Sequence, residues 1–253
     1  MGGIKLRIVY SGTLKTSHIP FLVKVIPGEG SGELLSLQES VRSALKEPAI
    51  LQPLSEEEFD HILAGNGLIL GVYVEGELVG ARAVLFPAID EDHLGKDVGI
   101  PRSEWPKVVY QEISLVSENV RGNGLQKLLG QLIMEELKSR RDEFKYVCCT
   151  VAPYNIPSLK DKFDQGLAIG GLKRKYGGNW RYIFVKNLKE EFEILPPFKE
   201  VSMKEFKEQQ DLLNAGWRGI SLTEDHGEWK LIFGKRKKGS FSFLMKKTST
   251  NYM

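Results

Sequence analysis

Residues 117–137, SENVRGNGLQKLLGQLIMEEL, set Gly122 and Gly124 directly before a run with helical spacing. Leu125, Leu128, Leu129, Leu132, Ile133 and Leu137 recur at the intervals that mark one face of an amphipathic helix. The preceding run, VVYQEISLV (108–116), is short and β-branched and predicts a strand. In the order strand, glycine turn, helix, the first amides of the helix have no intrahelical partners. They carry partial positive charge and favour phosphate. Glycine at 122 and 124 lets the backbone take positive φ and lets a ligand come close. The same pattern also serves as a plain β-to-α turn, so both readings stand at this point. No Gly-Lys-Ser/Thr follows, which excludes a Walker loop. A third glycine is missing, so the dinucleotide fingerprint is not matched either.

The other residues with chemical potential are fewer. Glu112 lies within the predicted strand before the loop. A carboxylate desolvated in a cleft has a raised pKa and can act as a general base. It can equally be an outward strand residue with a salt-bridge partner. Cys148 and Cys149 are adjacent in a strand-like run and point to opposite faces. They read as small apolar core residues, and a nucleophilic role is the lesser reading. With no disulfide framework, the chain fits a reducing cytoplasm. No metal is expected.

Composition narrows the classes. The chain has 253 residues, 42% hydrophobic and 27% charged, the range of an ordinary globular protein. A net charge of +2 argues against an electrostatic nucleic-acid binder. No apolar run approaches a membrane span. The first residues, MGGIKLRIVYSG, lack the core of a signal peptide, and Leu6 breaks a myristoylation motif. These features predict a cytoplasmic protein.

The elements that must position the loop follow from local pattern. IKLRIVYSG and FLVKVIP read as strands, and residues 33–47 as a helix. A second helix opens at Ser55, with Glu58 completing a capping box. Residues 67–87 form two strands around Glu75-Gly76, and 88–107 read as a loop. Asp90, Glu91 and Asp92 in that loop could attract a cationic amine or simply be solvated. After the glycine-turn unit come a strand (146–153), a helix in NIPSLKDKFDQGL, and a hairpin around Gly177-Gly178. Pro196-Pro197 suggests a boundary, followed by one more helix and hairpin.

This order, with two motifs, resembles the GNAT superfamily of acyl-CoA-dependent N-acyltransferases. NVRGNG (119–124) is similar to the family's Gln/Arg-x-x-Gly-x-Gly/Ala, with Asn119 in place of Gln or Arg. NIPSLKDKFDQGL is similar to its Asn-x-x-Ala/Ser-x-x-x-Tyr-x-x-x-Gly-Phe, with Asn155, Ser158 and Gly166 in place. Lys162 stands at the tyrosine and Leu167 at the phenylalanine. The resemblance spans roughly residues 20–188. It implies an α/β fold with a mixed, mostly antiparallel central sheet flanked by helices.

The resemblance also implies acetyl-CoA as co-substrate. Its pyrophosphate would rest on the amides of Arg121, Gly122, Asn123, Gly124, Leu125 and Gln126. Its pantetheine arm would run along Leu115 and Val116, where the family's fourth and fifth strands splay, with Asn155 and Ser158 on the other side. Arg121 would add charge near the phosphates, or be a solvated loop arginine. The chemistry would be direct transfer. A neutral amine attacks the thioester carbonyl, which a backbone amide polarises, and Glu112 takes a proton from the amine. The acceptor would be a primary amine of a small molecule or peptide, in a pocket built by the first two helices and residues 88–107. A non-catalytic protein that binds or senses CoA is the alternative, favoured by the missing tyrosine.

On this reading residues 1–190 form the acetyltransferase domain and 191–253 a small α+β extension. The extension carries too much apolar surface for a disordered tail and is too short to be stable alone. It should extend or cover the sheet edge left by the hairpin of residues 173–187, in the same chain or in a second copy, which leaves a homodimer open. GKRKKGSFSFLMKK (234–247) interleaves cations with phenylalanine, as nucleic-acid-binding segments do. It reads more simply as a charged hairpin end with a loose terminus, so no nucleic-acid partner is expected.

Overall fold

The computed structural model describes residues 7–28, 30–47, 51–190 and 193–237. The start of the first expected strand and residues 238–247 of the basic segment lie outside the described residues. The elements are β1 (Ile8–Thr13), β2 (Pro20–Val25), α1 (Ser31–Ser43), α2 (Glu56–His61), β3 (Gly67–Val74) and β4 (Glu77–Leu85). Then come α3 (Leu94–Asp97), β5 (Val108–Val116), α4 (Leu125–Ser139), β6 (Tyr146–Val151), α5 (Ile156–Asp164), β7 (Ala168–Lys175) and β8 (Asn179–Asn187). The last are β9 (Ile194–Ser202), α6 (Phe206–Asn214), β10 (Trp217–Asp225) and β11 (Glu228–Arg236). The strands form one sheet in the order β1-β2-β3-β4-β5-β6-β8-β7-β10-β11-β9. Neighbours are antiparallel except β5 and β6, which are parallel. The fold is therefore α/β, with a mixed and mostly antiparallel sheet flanked by helices.

Strand alternation assigns the two faces. In β4, Ala81 and Ala83 join Leu34, Val41 and Phe59 of α1 and α2 in one apolar cluster. Val84, two residues from Arg82 and on the same side of the pleat, joins Leu129, Ile133 and Leu137 of α4 in the other. Full burial of each of these Val, Leu, Ile and Phe side chains is worth about 1.5–3 kcal/mol. The capping box forms as the spacing predicts. Ser55 Oγ accepts from Glu58 N at 3.2 Å, and Glu58 Oε2 accepts from Ser55 N at 2.7 Å.

Two expectations need correcting. Residues 88–107 are not a plain loop: they hold α3 and a 3₁₀ turn at Arg102–Lys107. Buried Trp105 organises this segment, stacking on His93 at 4.6 Å and donating Nε1–H to Ile100 O. His93 Nδ1 in turn accepts from Gly95 N. Pro196-Pro197 marks no break but sits within β9. There the β9–β11 register jumps from Phe198↔Gly234 to Leu195↔Lys235, so neither proline meets a partner in the ladder. A proline lacks the donor a ladder needs, and an edge bulge is where a sheet tolerates it.

The C-terminal residues continue the same sheet. β10 pairs with β7 at Gly219↔Ile169, and a Cβ on Gly219 would lie 3.0 Å from Ile169 Cβ. Around that single rung the contacts are made by side chains. Tyr182 donates its hydroxyl to fully buried Gln209 at 2.9 Å, Gln210 donates to Leu172 O, and Trp180 meets Phe206 edge-on at 5.2 Å. Val201, Met203, Leu212, Leu213, Leu231 and Phe233 belong to the same apolar cluster as Tyr182 and Phe184. A chain ending at Leu188 would uncover this surface. It should aggregate or melt at least several degrees lower in a thermal scan, and equal stability would show that the extension is an independent appendage.

Candidate active site

β5 and β6 pair at only three positions, Val108↔Tyr146, Val109↔Val147 and Tyr110↔Cys148. Just beyond, β5 bulges. Val84 of β4 faces Gln111, but Arg82 faces Ser114, so Glu112 and Ile113 together oppose Ala83. A bulge adds one residue, bends its strand and re-aims the side chains there. From Gln111 to Val116, β5 has no ladder partner on its β6 side among the described residues. A groove opens along that edge.

The groove has two adjacent chambers. The larger, about 720 Å³, is bounded by Val116, Arg121, Gly122, Gly124, Leu125, Gln126, Asn155 and Ser158. The smaller, about 170 Å³, contains Glu112. Leu51, Ser114, Gln126, Asn155, Ser158 and Asp161 line both. Eight of the ten residues expected at the cofactor thus border one space. Leu115 and Asn123 do not. The Leu115 side chain is fully buried in the α1–α2 cluster. Buried Asn123 accepts from Thr16 N and Oγ1 at 3.0 and 3.2 Å and donates to Val120 O at 2.9 Å, so it ties the loop to the β1–β2 turn.

The loop has the conformation the two glycines predict. Gly122 and Gly124 have φ of 81° and 76°. Gly124 is the N-cap of α4 and offers no side-chain acceptor. The first bond back to it is Leu128 N to Gly124 O at 3.0 Å. The amides of Leu125, Gln126 and Lys127 precede that bond and form the free positive end of the helix. An added Cβ meets nothing within 4 Å at Gly122, and only Lys15 at Gly124, so the space before the helix is open. Arg121 Nη1 lies 3.9 Å from Glu118, a loose exposed pair. Asn155 Oδ1 accepts from Ser158 N at 3.3 Å and caps α5.

At the other end, desolvation and then the nearby Glu58 carboxylate push the Glu112 carboxyl up to about 7. Tyr176 and Thr150 share that chamber, with their hydroxyl oxygens 3.1 Å apart. Tyr154 is largely exposed and borders neither chamber. Cys148 and Cys149 are fully buried, and desolvation raises both thiols, which disfavours a thiolate nucleophile.

Beneath the groove lies a polar cluster that the motifs did not reveal. Arg82, 1% exposed, donates Nη1–H to Asp161 Oδ1 at 3.2 Å and Nη2–H to Asp161 Oδ2 at 2.8 Å. Nη2 also donates to Gln111 Oε1 at 3.0 Å, and Nη1 to Gln126 O at 3.4 Å. Buried Lys162 donates to Gln111 Oε1 at 2.7 Å and to Asp161 Oδ2 at 3.2 Å. Burial raises the Asp161 carboxyl, but Lys162 and Arg82 outweigh it and hold it below its ordinary value. Burial, and then Arg82, lower Lys162. A charged residue inside the apolar run ELVGARAVL was the one sequence signal for this cluster. Its partners, 29 and 79 residues away, left no local trace.

No family model matches the chain, and no curated protein matches it. Several solved structures do. A GNAT-family acetyltransferase from Listeria monocytogenes 4b F2365 is similar at a TM-score of 0.52 and 17% identity, over 72% of this chain and 99% of that one. The ribosomal-protein-S18-alanine N-acetyltransferase of Escherichia coli is similar at 0.51 and 13%, over 70% and 99%. An N-acetyltransferase from Staphylococcus aureus Mu50 is similar at 0.50 and 13%, over 66% and 98%. What is shared at these identities is the fold, and this chain has the GNAT fold. No helix among the described residues is long and apolar enough to cross a membrane. No group of three or more His, Cys, Asp or Glu among them could hold a metal ion.

The cluster predicts an asymmetric response to mutation. Asp161→Asn removes the anion and leaves Arg82 and Lys162 buried beside each other, which should cost roughly 3–5 kcal/mol in urea denaturation. Lys162→Met keeps the Arg82–Asp161 pair and should cost much less. Similar losses in both variants would mean that Lys162 holds the cluster together as much as the Arg82–Asp161 pair does.

Proposed function

We propose that this chain, which has the GNAT acetyltransferase fold, is an N-acetyltransferase that moves an acetyl group from acetyl-CoA to a primary amine by direct transfer. One observation carries the proposal: a helix N-terminus suited to phosphate and a carboxyl raised to about 7 stand in two adjacent chambers that share lining residues. The amides of the Arg121–Gln126 loop would hold the pyrophosphate, with Arg121 adding charge. The unpaired backbone of β5 near Val116 would hold the pantetheine arm as an added strand. Asn155 and Ser158 would line its other side. Acetyl-CoA supplies the activated acyl group. The residues of this chain align it, exclude water and move the proton.

Glu112 would accept that proton. A base must be ionised to act yet hold the proton it takes, so a pKa near the working pH suits the task. A water-exposed carboxylate would be ionised but a feeble base. Lys162 is committed to Gln111 and Asp161, so no tyrosine-like acid is assigned at that position. That commitment supports a second reading, a GNAT-fold protein that binds CoA without turnover. Release of free thiol from acetyl-CoA across a broad amine panel separates the two.

The loop is tested by Gly124→Ala, which puts a methyl group at φ 76° in the open space before α4. The strain should cost about 1–2 kcal/mol, and acetyl-CoA affinity in calorimetry should weaken roughly tenfold or more. Gly227→Ala, at φ 80° in the β10–β11 turn, carries similar strain far from the groove and should bind as wild type does. Equal affinity in all three proteins would overturn the loop assignment.

Glu112→Gln should lower kcat roughly 100-fold or more and leave acetyl-CoA affinity in place. Wild-type activity should rise with pH through about 7, and the variant should lose that limb. Stability runs the other way. A carboxyl whose folded pKa lies above its unfolded value favours the fold below the unfolded pKa, and that contribution is lost as pH rises through the folded one. A shift from 4.5 to about 7 corresponds to about 3 kcal/mol. Glu112→Gln should therefore melt above wild type at pH 8, and the gap should shrink at pH 5. A kcat and pH profile like those of wild type would return Glu112 to a structural role.

A further inference from the structure

Besides Glu112, the smaller chamber is lined by Glu58, Asp161 and Lys162, and by one cation that the proposed chemistry does not use. Arg181 of β8 is 7% exposed and lines the same chamber as Glu112. Its Nη1 donates to Trp180 O at 3.0 Å, and its guanidinium lies 5.6 Å from the Tyr176 ring centroid. No carboxylate among the described residues pairs with it: it forms no ion pair, and the one titratable group that enters the balance of its charge is the Tyr176 phenol. Arg82, buried to a similar degree, has a bidentate aspartate. A buried guanidinium without an anion is costly unless an anion arrives.

The chamber is also polarised. Tyr176 lies within the field of both charges, since Glu112 raises its hydroxyl and Arg181 lowers it, behind the larger effects of burial and of Thr150. Glu112 does not figure in the charge balance of Arg181, so the two are separated points rather than a salt bridge. At about 170 Å³, the space is smaller than a drug-sized site.

Resting on the transferase reading, we propose that the acceptor is a small amine bearing its own carboxylate, an amino-acid-like zwitterion whose amine faces Glu112 and whose carboxylate pairs with Arg181. Arginine presents two parallel N–H donors that match the two oxygens of a carboxylate. The pairing fixes the distal end of the acceptor and points its nitrogen back toward the groove. It also selects against an amine at the end of a peptide chain, where the carboxylate is already an amide.

The test compares amino acids with their carboxamides, acetyl-CoA as donor, and thiol release as readout. The carboxamide has the same shape and a less basic amine, so more of it is neutral and reactive at pH 7. Without carboxylate recognition it should be the better substrate. The expected result is a kcat/KM roughly 10- to 100-fold higher for the preferred acid than for its amide, the range of hydrogen bonds to a charged group. Arg181→Gln should bring that ratio near or below one, mainly by raising the KM of the acid. A wild-type ratio at or below one overturns the proposal without the variant, so misfolding of Arg181→Gln cannot shield it. In that case turnover of the amides leaves the transferase reading standing. If acetyl-CoA binds but no amine is acetylated, the transferase reading falls, and this inference with it.

Discussion

The groove depends on the parting of two neighbouring strands in the middle of a sheet. β5 and β6 pair over three positions and then diverge at the bulge around Glu112. Such a gap leaves backbone groups without ladder partners and tends to close or fill with water. Here its floor is held by Arg82, which reaches from β4 to Asp161 of α5, Gln111 of β5 and the Gln126 carbonyl of α4. One guanidinium thus ties two strands to the two helices on either side of the opening. Arginine suits this position because its donors are fixed in a plane and its charge persists when buried.

The two ends of the groove differ in electrostatic character for different reasons. The positive end needs no side chain, since it arises from unpaired amides where α4 begins. The negative end is a carboxylate raised by burial and by a like charge, which opposes folding above neutral pH. Functional groups often keep such tension, because the environment that perturbs a pKa also costs stability. In the proposed enzyme the fold tolerates Glu112 because the apolar clusters on both faces carry the stability around it.

The C-terminal strands solve a separate problem. β7 without β10 would present a sheet edge, a template for unwanted pairing. β10, β11 and β9 move that edge outward, and β9 ends it with Pro196 and Pro197, which cannot extend a ladder. The junction at Gly219 and Ile169 has one rung and is carried mainly by Tyr182, Gln209, Trp180 and Phe206.

Local sequence determined the features that depend on local physics. The glycine loop was legible because positive φ at 122 and 124 and the helical spacing after it are properties of contiguous residues. The Ser55–Glu58 capping box and the hairpin turns were legible for the same reason. The segment at 88–107 was not, because α3 is held by Trp105, His93 and Gly95, whose packing has no periodicity to detect. The bulge at Glu112 was hidden too, since register belongs to a pair of strands rather than to one. Most of all, the pairing of Arg82 with Asp161 and the lack of a carboxylate partner at Arg181 were invisible: whether a buried charge meets its counter-charge is decided by which distant elements the sheet brings together. Tertiary structure alone decided that two cations of similar burial would differ, one neutralised beneath the groove and one left facing it.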